Sequence, residues 1–363
     1  MEEAAELVAP HPDTLELVHS WLAHNGVPSS SILATHGGSW LTLTDVPVSQ
    51  ANKLLGASYQ LYRHAGVNDT TILRTVGYGL PTVLHAHVET VAPTTLFASP
   101  HALQQAPYRH PDGATGALAK AAPRKLAREL SAHDDPVAVA PDYLRWLYKT
   151  YAYVPRAVTR NALGIVGLKD QFPSPLDLSL FMSLFRRDAQ AAKFAVVGVN
   201  GGGFDPDQPG SEANLNMQYA QAITYPTPHV YYSTGGPVYW GVSSHMPLQG
   251  DCFLGWTSYV ISQLYIPQTI SFSYSIVEDI VPPEYAWSVC RLFALIGVRG
   301  VSILFSSGDF GVGQGECKDK SGRVQFMPKF PASCMCDVLS CKARERRQKS
   351  LTTLLQFRRS LAH

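Results

Sequence analysis

The sequence predicts an α/β protein, a doubly wound parallel sheet preceded by a small α+β unit. Short apolar runs alternate with segments of helical period from about residue 137 onward, the pattern of strands buried on both faces by helices. Residues 104–136 are poor in aromatics and rich in Ala, Pro and basic residues, so they read as a linker between two units. A chain of 363 residues with 45% hydrophobic and 16% charged content can bury a sizeable core and fill two domains.

In the first unit, residues 1–103, "HPDTLELVHSWLAHNGV" reads as a helix. Asp13 or Thr14 is its cap, Leu15, Val18 and Leu22 recur at helical spacing, and Gly26 is its stop. "SWLTLT" alternates as a strand, "SQANKLLG" returns to helical period, and "YQLYRH" and "TILRTVGYGLP" suggest further strands, giving helices on one small sheet. In the second unit "NALGIVGL" opens the sheet. The helix of "SPLDLSLFMSLF" follows, with Ser174 as cap, Pro175 in the first turn, and Leu176, Leu180 and Leu184 along one face. Strands "FAVVGVN", "VYYSTG", "TISFSYS" and "VSILFSSGD" then alternate with helices at 211–223, "LGWTSYVISQLY" and "EYAWSVCRLFALIG".

A net charge of +1 and the lack of a basic stripe with interleaved aromatics predict no nucleic-acid or anionic-membrane partner. The longest apolar stretch, "VCRLFALIGVRGVSILF", is interrupted by Arg291 and Arg299, so no membrane helix is expected. The opening "MEEAAELVAP" is acidic and lacks the order of a secretory signal, which read literally keeps the chain inside the cell. All six cysteines lie at or after Cys252, and their spacing matches no strong zinc pattern; ordinary or disulfide cysteines are expected. "HAHVE" sets His85 and His87 on one side of an extended segment, a two-ligand metal motif without an evident third ligand, so a surface strand is the preferred reading.

"PGSEANLNMQYAQAI" carries the candidate site. Glu212, Leu215, Asn216, Tyr219 and Ile223 share one helical face, which places an acid and an amide beside the buried side just past the strand-end loop "GVNGGGF". Ligands of such sheets collect beyond the carboxyl ends of the strands, and an acid there must be hydrogen-bonded, paired or protonated. A first-turn acid favouring the helix dipole is the bland alternative. Asp309 also follows an apolar strand, in "LFSSGD", where its bland role is a turn. "NGGG" is not a phosphate loop, because no GK[ST] or GxGxxG spacing follows.

"PGSEANLNMQYAQAI", "VYYSTGG", "RLFALIGVRGVSILFSSGDFGVG" and "FPASC" resemble segments of the sedolisins, the serine-carboxyl peptidases that include tripeptidyl peptidases. "LLGASYQLYRHAG" and "HAHVETVAPTTLF" resemble the activation prodomain of the same family. The resemblance covers about residue 11 to Cys334 and implies a subtilisin-like α/β peptidase domain, residues 137–334, made as a zymogen and secreted to work in acid. It implies a general base at Glu212, an oxyanion-stabilising acid at Asp309, and at position 216 an Asp that shares the proton of the base, where this chain has Asn216. Coupled carboxylates can act as acid and base below neutral pH, where histidine is charged. Another departure is Ser275, where the family commonly has glycine.

After "FPASC" the family continues to a Gly-Thr-Ser nucleophile motif and a calcium loop. Residues 335–363 form instead a basic tail with seven Lys or Arg against two acids. The expectation is an incomplete sheet without nucleophilic serine or calcium ligands: no cofactor in this chain, calcium in the intact family, and peptide or protein substrates there. The chain is then inactive and monomeric or aggregated, or else a non-catalytic decoy or prodomain-type binder of an intact peptidase.

Overall fold

The computed structural model describes residues 9–34, 38–63, 71–92, 94–95, 97, 140–156, 158–168, 171–235, 252–309, 321–334 and 339–340. The expected linker and most of the basic tail lie outside these residues. In the first unit helix α1 (Pro12–His24) is followed by β1 (Ile32–Ala34), β2 (Leu41–Leu43), α2 (Val48–Leu54), β3 (Gln60–Arg63) and β4 (Thr71–Arg74). His11, rather than Asp13 or Thr14, caps α1: its Nδ1 accepts from the Asp13 amide, because Pro12 starts the helix and moves both residues into its first turn. Gly26, at φ +76°, lies just beyond the Asn25 cap and turns the chain away from the helix. The expected single sheet is two antiparallel pairs, β1 with β2 and β3 with β4. Val18, Leu22, Val27, Leu54, Leu55 and Leu84 form the core of this unit, with Ile32, Leu41 and Leu43 of β1 and β2 packed against it.

The second unit begins with α3 (Pro141–Leu147) and then builds the sheet. Strands β5 (Leu163–Gly167), β6 (Phe194–Val199), β7 (His229–Thr234), β8 (Thr269–Phe272), β10 (Ser302–Phe305) and the two-residue β12 (Leu339–Ser340) are all parallel, in the order β12-β10-β8-β5-β7-β6. A short antiparallel pair, β9 (Ile276–Val277) with β11 (Lys329–Phe330), stands apart from it. Every residue of β5 is buried, as its central place requires. Successive side chains serve opposite faces. Ile165 and Tyr231 pack on Ala213 and Met217 of α5 (Ser211–Thr224), whereas Val166, Tyr232 and Phe272 pack on α6 (Cys252–Ser262) and α7 (Pro283–Val298).

Helix α4 (Pro175–Phe185) shares the face of α5, with Leu178 and Met182 against Ala222. Ser174 caps it through a bond from the Asp177 amide and Pro175 occupies its first turn, as expected. Its buried residues are Leu178 and Met182 rather than Leu176, Leu180 and Leu184, and Leu176 is 75% exposed. The two stripes are equally apolar, and the lean of the helix against α5 selects one. The connection β5-α4-β6 steps outward and β6-α5-β7 steps back, yet both helices lie on one face. The two crossovers therefore have opposite hands. Helices α6 and α7 lie on the other face while the chain advances through β8 to β10, which leaves β6-α5-β7 as the crossover of the rarer hand.

Trp256, Phe272, Phe293 and Phe305 interlock at the α6 and α7 face with ring centroids 4.7 to 6.4 Å apart. Arg299, just past α7, donates to the carbonyls of Val260, Ile261, Gln263 and Leu264 and so closes the carboxyl end of α6. A disulfide joins Cys290 on α7 to Cys334. The first unit reaches α7 through Glu89, which pairs with Arg291 and accepts from the Ser288 hydroxyl.

Candidate functional site

Helix α5 carries the acid and the amide in its first two turns. Its Gly210 cap has no side-chain capping bond; the chain is held instead by the Gly210 amide on the Phe172 carbonyl, 2.9 Å, and by the bridge of Phe172 with Pro209. A Cβ at Gly210 would lie 1.9 Å from Gln171 Oε1, so a larger residue here would require the Gln171 side chain to move. The buried positions of α5 are Ala213, Met217, Gln221 and Ala222, and Leu215 and Ile223 face outward at 46% and 36% exposure. The apolar stripe read from Leu215 and Ile223 is thus displaced, because small Ala residues and Gln221 fit the close approach to the sheet better than branched chains. Glu212 and Asn216 flank the buried side, both half-buried.

Asn216 Nδ2 donates to Glu212 Oε1 over 3.1 Å. Burial pushes the Glu212 carboxyl above its usual range, the bond from Asn216 opposes that rise, and the Asp309 charge adds to it. Asp309 is exposed beyond the carboxyl end of β10, near enough to act on both Glu212 and Lys329. Burial lowers the Lys329 ammonium to about 8 against the favourable charge of Asp309. Tyr231 and Tyr274 close the buried side. Tyr231 Oη donates to the Gln171 carbonyl and lies where a Cβ at Gly167 would stand, while Tyr274 Oη donates to the Leu168 carbonyl at 3.4 Å. Desolvation raises both phenols, and the charge of Glu212 adds to each shift, so both hydroxyls stay protonated at acid and neutral pH. The structure thus sets Asn216 against Glu212 within the field of Asp309, with Tyr231 and Tyr274 on the buried side. The sequence reading missed Lys329 and both tyrosines, whose place depends on tertiary packing.

His85 and His87 do not form the extended chelating pair suggested by "HAHVE". They lie in a turn, where His85 Nε2 bonds the Leu80 carbonyl and His87 Nδ1 bonds Thr14 Oγ1 on α1. The turn separates side chains that a strand would align. Among the described residues no group of three or more His, Cys, Asp or Glu is placed to hold a metal ion. No described helix is long and apolar enough to cross a membrane.

The fold is that of an α/β protein with a separate amino-terminal unit, and comparison with known proteins shows what it is similar to. Residues 1–97 match the family described as Pro-kumamolisin, activation domain. The chain is 31% identical over 338 residues to a probable tripeptidyl-peptidase SED3 of Arthroderma benhamiae, covering 90% of this chain and 54% of that protein. A probable tripeptidyl-peptidase SED2 of Trichophyton verrucosum is 31% identical over 343 residues, covering 92% and 56%. A Pseudomonas sedolisin, a serine-carboxyl proteinase solved with two molecules of pseudo-iodotyrostatin, aligns at TM-score 0.39 and 18% identity over 55% of this chain and 52% of that one. The chain spans about half the length of the curated relatives it matches. The chain is thus similar to tripeptidyl peptidases, and its residues 1–97 to a pro-kumamolisin activation domain.

Proposed function

We propose that residues 137–334 are the amino-terminal part of a serine-carboxyl peptidase-type domain, led by an activation unit within residues 1–103, whose substrates are peptides or proteins. The observation that carries this reading is the raised Glu212 carboxyl, hydrogen-bonded to Asn216 and within the field of Asp309. In this reading Glu212 takes the proton of an attacking hydroxyl and Asp309 donates toward the developing oxyanion. Asn216 orients Glu212 but, being an amide, cannot exchange a proton with it. The Cys290–Cys334 disulfide supports an oxidising, extracellular setting.

The 363-residue chain by itself does not turn over peptides in this proposal. Among the described residues the hydrogen bond to the Glu212 carboxylate comes from Asn216, and no serine hydroxyl stands against it. Purified chain is to be assayed with tripeptide-amide and denatured-protein substrates from about pH 3 to 7, the range in which carboxyl pairs titrate. No turnover is expected; turnover abolished by Glu212→Gln would overturn inactivity while upholding the site. A second reading, a prodomain-type binder, is favoured by the separate core of the first unit and its Glu89 contact with α7. It predicts a stable complex with an intact relative, measurable by gel filtration, and co-elution absent at every pH would remove it.

A further inference from the structure

We infer that Asn214 and Asp177 are positioning residues that set the rotation of α5 and thereby hold Glu212 in its half-buried place beside Asp309. This rests on the reading of Glu212 as the acid of the site. Asn214 follows Glu212 by two residues, about 200° around the helix, so it points toward α4 when Glu212 points toward the site. Its Oδ1 accepts from the Ser174 amide at 2.8 Å and its Nδ2 donates to Asp177 Oδ2 at 2.7 Å. Ser174 is the cap of α4 and its Oγ accepts from the Asp177 amide at 3.2 Å. One amide side chain of α5 is thus locked into the amino terminus of α4, donating with one atom and accepting with the other. Leucine could do neither, and a carboxylate could not donate.

The lock matters because α5 has no side-chain cap of its own. On its sheet side Ala213 and Met217 offer no hydrogen bond, and the next polar anchor is Gln221, whose Nε2 donates to the Lys193 carbonyl more than two turns beyond Glu212. A helix with side chains has a radius of about 5 to 6 Å, so a 20° roll would carry the Glu212 carboxylate through about 2 Å. A displacement of that size draws Glu212 into water and changes its distance from Asp309. Catalytic geometry tolerates less than about 1 Å.

The test compares two variants that remove the same charge. Asp177→Asn keeps an oxygen to accept from Asn214, and Asp177→Ala does not. The Glu212 side-chain carboxyl is followed by carbon-13 NMR against pH in the full chain, with Glu212→Gln giving the assignment. In Asp177→Asn the titration midpoint should remain high, and in Asp177→Ala it should fall toward that of exposed glutamates. A merely structural lock would lower the melting temperature without moving the midpoint. Equal midpoints in the two variants overturn the inference. If Asp177→Ala loses its cooperative melt, Asn214→Ser, too short to span both partners, replaces it and must show the same fall; an unmoved midpoint there also overturns it. If instead the parent Glu212 titrates as an exposed glutamate, or Asp309→Asn leaves its midpoint in place, the site reading itself fails.

Discussion

The burial of His229 makes the stability of the protein depend on pH in the acid range. The ring opens β7 with 3% of its surface exposed, and Nε2 lies 3.0 Å from Thr224 Oγ1 at the end of α5. Burial lowers its pKa from 6.5 to about 4, against the carbonyls of Thr227 and Ala220, which favour the charged form. An unfolded chain takes up the proton near pH 6.5, whereas the native one refuses it until about 4. Stability is therefore intact above 6.5, is lost as pH falls through that window, and loses no more from this group below about 4. A gap of about 2.5 units at 1.36 kcal/mol each is worth about 3 kcal/mol in all, and about 2 kcal/mol by pH 5.

The perturbation is His229→Gln, which cannot ionise but can still bond Thr224. Urea unfolding of parent and variant at half-unit steps from about pH 7.5 to 3.5 isolates the group, since every other titration is common to both. Measured as parent minus variant, stability should fall by about 3 kcal/mol across the window. Parallel profiles, differing by a constant within about 0.5 kcal/mol, would refute the reasoning by showing that the ring titrates alike in the native and unfolded states.

Replacing Cys290 with Ser removes a link between residues 44 apart, which the chain-entropy estimate values at about 4 kcal/mol; an unchanged denaturation midpoint under oxidising conditions would refute it. Arg299→Ala strips four carbonyls at and just past the end of α6 of a charged donor and should cost about 2 kcal/mol, with hydrogen exchange rising first at Val260 to Leu264; protection there equal to the parent would refute it. Glu212→Gln should stabilise the protein at neutral pH and not at low pH. A carboxyl raised by folding contributes stability while protonated, and that is lost as pH rises through its folded value, so a variant less stable than the parent at neutral pH would refute the burial argument.

The alternation of apolar strands with helices was legible because a parallel sheet leaves its strands no polar face, and Ser174 with Pro175 marked the start of α4 by local chemistry alone. Glu212 and Asp309 were legible as acids beyond strand ends. The rest depended on tertiary choices. Leu215 and Ile223 suggested one stripe on α5, but the sheet took Ala213 and Met217, whose small or pliant side chains let the helix approach. The handedness rule would send α5 to the opposite face from α4; no local signal in β6-α5-β7 announces the rarer hand. The first unit's strands were visible, but pairing them in one sheet failed because β1 with β2 and β3 with β4 each close locally. The bonds of Asn214 to Ser174 and Asp177 span 40 and 37 positions, beyond the reach of any periodicity.

The pairing of Glu212 with Asn216 has a consequence that the helix geometry makes definite. Two carboxyls at i and i+4 share one proton, and either can hold it as pH changes. An amide at 216 keeps both its protons at every pH, so it presents a fixed donor to Glu212 Oε1 and favours the ionised acid. Burial and Asp309 favour the protonated acid. The opposing influences hold Glu212 above its ordinary range through the surroundings of α5, with no second carboxyl on the helix to share its proton. In the proposed reading Glu212 then exchanges its proton with the occupant of the site rather than along the helix, which makes the orientation of its carboxylate matter more than it would in a carboxyl pair.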